Sequence, residues 1–118
     1  MNSELKNIKK LIVDQSLELD CGKIIKNFPL AYETYGILNK NKDNAILAFH
    51  ALTGDQFCTN INPITKREGW WKTAVGPEKA IDTNKYFVIC ANVIGGCMGS
   101  YGPKETNPET NKLFGTTF

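Results

Sequence analysis

Ala45-Ile46-Leu47-Ala48-Phe49-His50-Ala51-Leu52-Thr53-Gly54-Asp55 is the stretch on which the reading of the fold turns. Residues 45–49 are apolar without alternation, the composition required of a strand buried on both faces of a sheet. Residues 50–55 end that strand in a glycine-containing turn. Two covered faces point to a parallel sheet of the α/β class, in which ligands gather beyond the carboxyl ends of the strands.

A second continuous apolar run, Tyr86-Phe87-Val88-Ile89-Cys90-Ala91, is bounded by Asn84 and Asn92 and reads as a second buried parallel strand. Upstream, Leu17 and Leu19 alternate with Ser16, Glu18 and Asp20, Asp20-Cys21-Gly22 offers a turn, and Phe28 to Tyr35 is an extended run rich in Tyr and Thr. This pattern predicts an antiparallel hairpin or meander ahead of the parallel strands. Gly36 to Asn44 is a polar connector rich in Asn and Lys. Between residues 55 and 85 no long amphipathic helix is written. That region holds a loop with Asn62-Pro63, the pair Trp70-Trp71, and a short helical turn expected from Pro77 to Ile81, with Pro77 at the first helical position. Residues 93–118 are dominated by Gly, Pro, Asn and Thr and carry little element-forming pattern. Residues 1–10 are polar and expected to fray, with order beginning near Leu11.

The expected fold class is therefore α/β, antiparallel strands followed by parallel buried strands, and incomplete. Two buried-type strands are too few for a parallel sheet covered by helices on both faces. A sheet ending at them exposes backbone donors and acceptors along one edge together with apolar faces, a combination that favours association. The 118 residues are also short for such a fold, which commonly takes about 200–250.

Composition narrows the function classes. A net charge of +2, with the basic residues scattered apart from Asn39-Lys40-Asn41-Lys42, gives no nucleic-acid footprint. No apolar run approaches the roughly 20 residues that span a bilayer, and no signal-peptide core follows Met1, so a soluble cytoplasmic protein is expected. Cys21, Cys58, Cys90 and Cys97 have no C-x-x-C spacing, and His50 is the sole histidine, so no metal is expected. Cys90 lies within an apolar run and reads as a small buried hydrophobe. Cys97 sits in a Gly-rich loop, with no basic neighbour in sequence to activate it. Ser100, in Met98-Gly99-Ser100-Tyr101-Gly102, lacks the first glycine of a G-x-S-x-G elbow and is not read as a nucleophile. His50, at the end of a buried strand, reads as a hydrogen-bonded structural residue rather than a base.

Several motifs in one order carry a resemblance. Leu30-Ala31-Tyr32-Glu33-Thr34-Tyr35-Gly36, His50 to Asp55, Gly69-Trp70-Trp71, Val75-Gly76-Pro77, Ala80 to Asn92, and Gly95-Gly96-Cys97-Met98-Gly99-Ser100-Tyr101-Gly102-Pro103 together resemble the N-terminal part of the homoserine O-acetyltransferases. The match covers nearly the whole chain from about Leu11 onward. It implies residues 11–118 as the first part of a single α/β-hydrolase catalytic domain, ending before the nucleophile elbow. It also implies transfer of an acetyl group from acetyl-CoA to L-homoserine through a Ser acyl-enzyme, in methionine biosynthesis. The catalytic Ser, Asp and His are expected downstream, none of them in this chain. Acetyl-CoA enters as acyl donor with no bound cofactor, homoserine as acceptor, and the full enzyme is expected to be a homodimer.

The same resemblance places the backbone of Ala51, Leu52, Thr53 and Gly54 at the oxyanion hole, with Leu52 N–H as the first choice of donor. Gly54 is expected to let the turn close against substrate without a Cβ. Read without the resemblance, Leu52-Thr53-Gly54-Asp55 is a strand-exit turn. Trp70 and Trp71 are candidates to line the CoA or acyl pocket, or equally to anchor a loop. Gly95 and Gly96 are candidates to flank the site, or form a permissive loop. Three other readings stand beside the leading one: a succinyl donor or serine acceptor, ester hydrolysis on the same fold, and a non-catalytic remnant or binding module.

Overall fold

A computed structural model describes residues 7–118. Ten strands follow in order: β1 (Lys10–Val13), β2 (Leu17–Glu18), β3 (Ile24–Ile25), β4 (Phe28–Tyr35), β5 (Ala45–Ala48), β6 (Val75–Gly76), β7 (Ile81–Asp82), β8 (Phe87–Ala91), β9 (Thr106–Asn107) and β10 (Lys112–Leu113). A 3-10 turn, Gly115–Thr117, follows β10.

The main sheet has the order β1-β4-β8-β5. β1 and β8 flank β4 antiparallel, and β5 lies parallel to β8 with Ala45 opposite Phe87 and Ala48 opposite Cys90. The expected change from antiparallel to parallel pairing is thus present. β2 and β3 form a hairpin at the expected turn, Leu17 opposite Ile25 with Gly22 at φ +81°, but the run Phe28 to Tyr35 pairs with β1 rather than with the Leu17 strand. The polar connector brings β5 beside β8: Asn44 Nδ2 donates to Ile37 O and to Lys85 O, each at 2.9 Å. Gly36 opens that connector at φ +81°, and a Cβ there would stand 2.2 Å from Tyr86 O. No other residue type fits so close to a neighbouring carbonyl.

The core lies against one side of the central strand. Val88 and Cys90 of β8 are buried with Ala48, Cys58 and Val75, and Tyr35, Ile46 and Ile81 pack around them. A smaller cluster joins Ile8, Ala31 and Phe57, with Ile64 against it. Ile8 therefore packs, and Lys10 already opens β1. The frayed segment expected over residues 1–10 is displaced by that apolar anchor over its last residues, and its first six lie outside the described residues.

Three expectations are corrected. The strand at residues 45–49 is not covered on both faces: it is the edge of the sheet, Leu47 is 56% exposed and Phe49 79% exposed, because no described element packs on that side. Pro77 does not begin a helix. Lys79 N–H donates to Gly76 O at 3.2 Å and Glu78 takes φ +60°, so Gly76 to Lys79 form a turn of type II, with Pro77 at its second position. Asp82 holds that turn by accepting from Glu78 N–H at 3.0 Å and Asn84 N–H at 2.9 Å, and these bonds keep its carboxyl below the usual range. Finally, residues 93–118 contain a hairpin, β9 paired antiparallel with β10. Asn107 caps it and Asn111 turns it at φ +55°.

Candidate functional site

β5 and β8 are parallel neighbours, so the loops leaving both emerge at the same end of the sheet. With Ala48 opposite Cys90, the register carried two residues further sets His50 opposite Asn92. The side chains meet there: Asn92 Nδ2 lies 3.4 Å from His50 Nε2, and Val93 N–H donates to the same nitrogen at 3.2 Å. On its other side His50 Nδ1 lies 2.7 Å from Ala51 O. An Nε2 that accepts from a backbone N–H assigns the proton to Nδ1.

Ala51 O accepts a second bond, from Gly54 N–H at 2.8 Å, which closes the turn. The turn lies so close over His50 that a Cβ on Gly54 would stand 2.9 Å from His50 Cβ and 3.1 Å from Ala51 O. Gly54 is thus required by the histidine beneath it, a nearer reason than the approach of substrate. Leu52, at the apex, is 97% exposed, and among the described residues the N–H groups of Leu52 and Thr53 have no acceptor.

Asn92 organises the opposite wall. Only 1% exposed, it accepts from Met98 N–H at Oδ1, 3.2 Å away, and from Ser100 Oγ at its own carbonyl, 2.6 Å away. Ser100 in turn accepts Ala31 N–H at 2.9 Å. Both hydrogen-bonding roles of the hydroxyl are occupied and the residue is buried, as expected of a structural serine.

A cavity of about 440 Å³ opens between these walls. His50, Leu52, Thr53 and Gly54 form one side, Asn92, Gly95 and Gly96 the other, and Asn62, Arg67 and Trp70 the third. Among the candidates, Leu52, Thr53, Gly54, Trp70, Gly95 and Gly96 meet at this space. Ala51 stands behind the wall as the carbonyl that anchors the turn. Trp71 does not reach the cavity and instead stacks on Trp70, with centroids 5.5 Å apart and planes 13° from parallel. Trp70 is fixed by donating its indole N–H to Asp55 O at 2.9 Å.

Asp55, Asn62, Arg67 and Asn92 join the site without being legible as site residues in the sequence. Asp55 accepts from Phe57 N–H at 2.8 Å and from Asn62 Nδ2 at 2.7 Å, tying the β5 loop to the third wall. Asn92 was visible as the polar residue bounding an apolar run, and the register of the two runs is the signal that would have paired it with His50. No comparable signal marks Arg67.

The thiols offer no nucleophile at the core. Burial pushes Cys58 up to about 11 and Cys90 up to about 12. Cys21 and Cys97 are exposed and free. Among the described residues no group of His, Cys, Asp and Glu is arranged to hold a metal. A second cavity, about 460 Å³, lies between the β2–β3 hairpin and the aromatic cluster of Tyr101, Phe114 and Phe118, away from the carboxyl ends of the parallel strands.

A mixed sheet with two converging loops beyond a parallel strand pair makes this chain part of an α/β-hydrolase fold. No protein-family profile matches it. Over the stretch that it spans, the chain is a sequence homologue of the homoserine O-acetyltransferases. It is 75% identical over 112 residues to the homoserine O-acetyltransferase of Pelagibacter ubique, which covers 95% of this chain and 30% of that protein. Among solved structures, homoserine O-acetyltransferase from Bacillus anthracis superposes with a TM-score of 0.76 at 32% identity, covering 93% of this chain and 31% of that one. Esterase E22 superposes with a TM-score of 0.75 at 29% identity, covering 95% and 32%. The chain thus spans about 30% of the length of the relatives it matches.

Proposed function

We propose that this chain is the part of a homoserine O-acyltransferase that supplies one oxyanion-hole donor and one side of the acyl pocket. The observation that carries the reading is the unpartnered N–H of Leu52, on a rigid turn beside a cavity at the carboxyl end of a parallel strand. In acyl transfer, a serine attacks the thioester carbonyl of acetyl-CoA and negative charge develops on that oxygen. A fixed backbone N–H stabilises the charge without reorganising. Collapse expels CoA, and the hydroxyl of L-homoserine attacks the acyl-enzyme to give O-acetylhomoserine. The serine, its histidine base and the orienting aspartate are supplied by residues outside this chain. The free edge of β5, apolar and parallel to β8, is where the remainder of a single catalytic domain joins residues 11–118.

The reading brings with it acetyl-CoA as substrate rather than bound cofactor, a place in methionine biosynthesis, a cytoplasmic location and a homodimeric enzyme. Among the described residues no helix is long and apolar enough to cross a membrane. Ester hydrolysis is the second reading, favoured by the close superposition on an esterase, since water and an alcohol compete for the same acyl-enzyme.

The test uses the full polypeptide as encoded by its gene, with acetyl-CoA or succinyl-CoA and with homoserine, serine or water as acceptor. Release of CoA dependent on homoserine and acetyl-CoA is the expected result. Leu52→Pro, which deletes the N–H, lowers kcat about 10²–10³-fold, while Leu52→Ala, which keeps it, does not. A polypeptide that turns over no acyl donor overturns the proposal in favour of a non-catalytic module.

A further inference from the structure

We infer that His50 is a positioning residue, a neutral imidazole strut that sets the plane of the Ala51–Leu52 peptide and thereby aims the Leu52 N–H. The inference rests on the acyltransferase reading for its catalytic consequence, but its geometry stands independently.

A trans peptide carries its C=O and N–H on opposite sides, and the described residues contain no cis peptide. Fixing the carbonyl of residue 51 therefore fixes the direction of the amide of residue 52. Two donors grip that carbonyl: Gly54 N–H at 2.8 Å and His50 Nδ1 at 2.7 Å. One hydrogen bond leaves a peptide free to swing about it, whereas two from different directions define the plane. The Leu52 N–H then points away from both, and it has no acceptor among the described residues.

The strut works only if the imidazole is itself held. Its far nitrogen accepts Val93 N–H at 3.2 Å, which excludes a proton there and fixes the tautomer that donates to Ala51 O. The ring thus spans the gap between the two loops, one end on β8's exit and the other on β5's. Gly54, with no Cβ, lets the turn rest directly on the His50 side chain. A histidine serving as proton shuttle needs one nitrogen free to exchange with substrate, and here both are engaged with backbone.

Covalent geometry supplies a discriminating pair of variants. The amide nitrogen of Asn, bonded to Cγ, stands where histidine carries Nδ1, whereas the carboxamide oxygen of Gln, bonded to Cδ, can stand where histidine carries Nε2 and accept as that nitrogen does. His50→Asn keeps the donor to Ala51 O and loses the bond to Val93. His50→Gln does the reverse. In the full polypeptide, His50→Gln is expected to lower kcat about 10–100-fold with KM for the acyl donor little changed, and His50→Asn to recover most of that loss. Equal losses in both variants, or a wild-type kcat in His50→Gln, overturn the strut while leaving the acyltransferase reading intact. Nitrogen NMR of the wild-type imidazole provides the readout independent of activity: a protonated Nδ1 and a bare Nε2 are expected at neutral pH, and the opposite tautomer overturns the strut. Should the polypeptide transfer no acyl group at all, the functional reading fails and the NMR result still decides the geometry.

Discussion

Ser100 donates its hydroxyl proton to the carbonyl of Asn92 at 2.6 Å, and with its lone pair accepts the N–H of Ala31 at 2.9 Å. One buried side chain thereby joins the end of β8 to the middle of β4. Ser100→Ala leaves a buried carbonyl with one partner fewer and a buried N–H with none, which costs about 1–3 kcal/mol. Urea unfolding of the full polypeptide checks the stability. The acyl-transfer rate per folded molecule is expected to remain measurable, whereas loss of a nucleophile would abolish it.

Tyr35 belongs to the same class of internal tie. Its hydroxyl accepts Cys58 N–H at 3.0 Å and donates to Asn60 Oδ1 at 2.6 Å, and burial raises its pKa far above the ordinary phenol value. Tyr35→Phe keeps the ring and removes those bonds, so a loss of about 1–3 kcal/mol is expected in denaturant unfolding. An unchanged midpoint would mean that water replaces the hydroxyl there.

Gly54→Ala places a methyl 2.9 Å from His50 Cβ. Such overpacking costs about 1–3 kcal/mol and here also lifts the turn off the imidazole. A fall in kcat is expected alongside the lower melting temperature. A variant that melts lower yet turns over normally would separate the turn from the chemistry.

The cysteines divide into two pairs. Cys21 and Cys97 are exposed, while Cys58 and Cys90 are buried, with thiols pushed up to about 11 and about 12 from an ordinary 9.0. Native alkylation at pH 8 is expected to modify two thiols quickly and two only on unfolding. The stability consequence has a definite sign. Above pH 9 the unfolded chain sheds thiol protons that the folded chain keeps, so the contribution of these two groups is present below 9 and is lost as pH rises through 11–12. A flat stability profile between pH 9 and 11 in a chain with every other titrating group accounted for would contradict their burial.

Expressed by itself, the 118-residue chain is expected to self-associate and to lack a sharp melt. Leu47 and Phe49 stand exposed on the unpaired edge strand, a template for pairing. Leu47→Lys is expected to shift sedimentation toward the monomer. A monomeric wild-type chain with a cooperative two-state melt would show that the edge is not a liability.

What could be read in advance follows from which residues carry their own signal. The apolar runs at 45–49 and 86–91 announced parallel neighbours because a strand without polar–apolar alternation suits a parallel pairing. The extended run from Phe28 to Tyr35 was equally plain. The exposed face of β5 was not legible, since covering depends on what lies beside a strand and not on its composition. Pro77 misled for a related reason. A proline suits a first helical turn and the second position of a tight turn alike, and the choice fell to Asp82, which caps the turn from the far side. At the site, the turn at 51–54 was found from its motif, but Asn92 and Arg67 were not. Their positions follow from strand register and loop path, which arise only when distant segments meet.

The order of strands in the sheet has a consequence for the order of events during synthesis. β4 and β5 are consecutive in the main sheet's part of the chain, yet they are not paired, because β8 inserts between them. As the polypeptide leaves the ribosome, β5 must wait for about forty further residues, and β4 for about fifty, before their shared partner emerges. β8 is thus the keystone of assembly, and the loop that follows it reaches His50 as that strand docks.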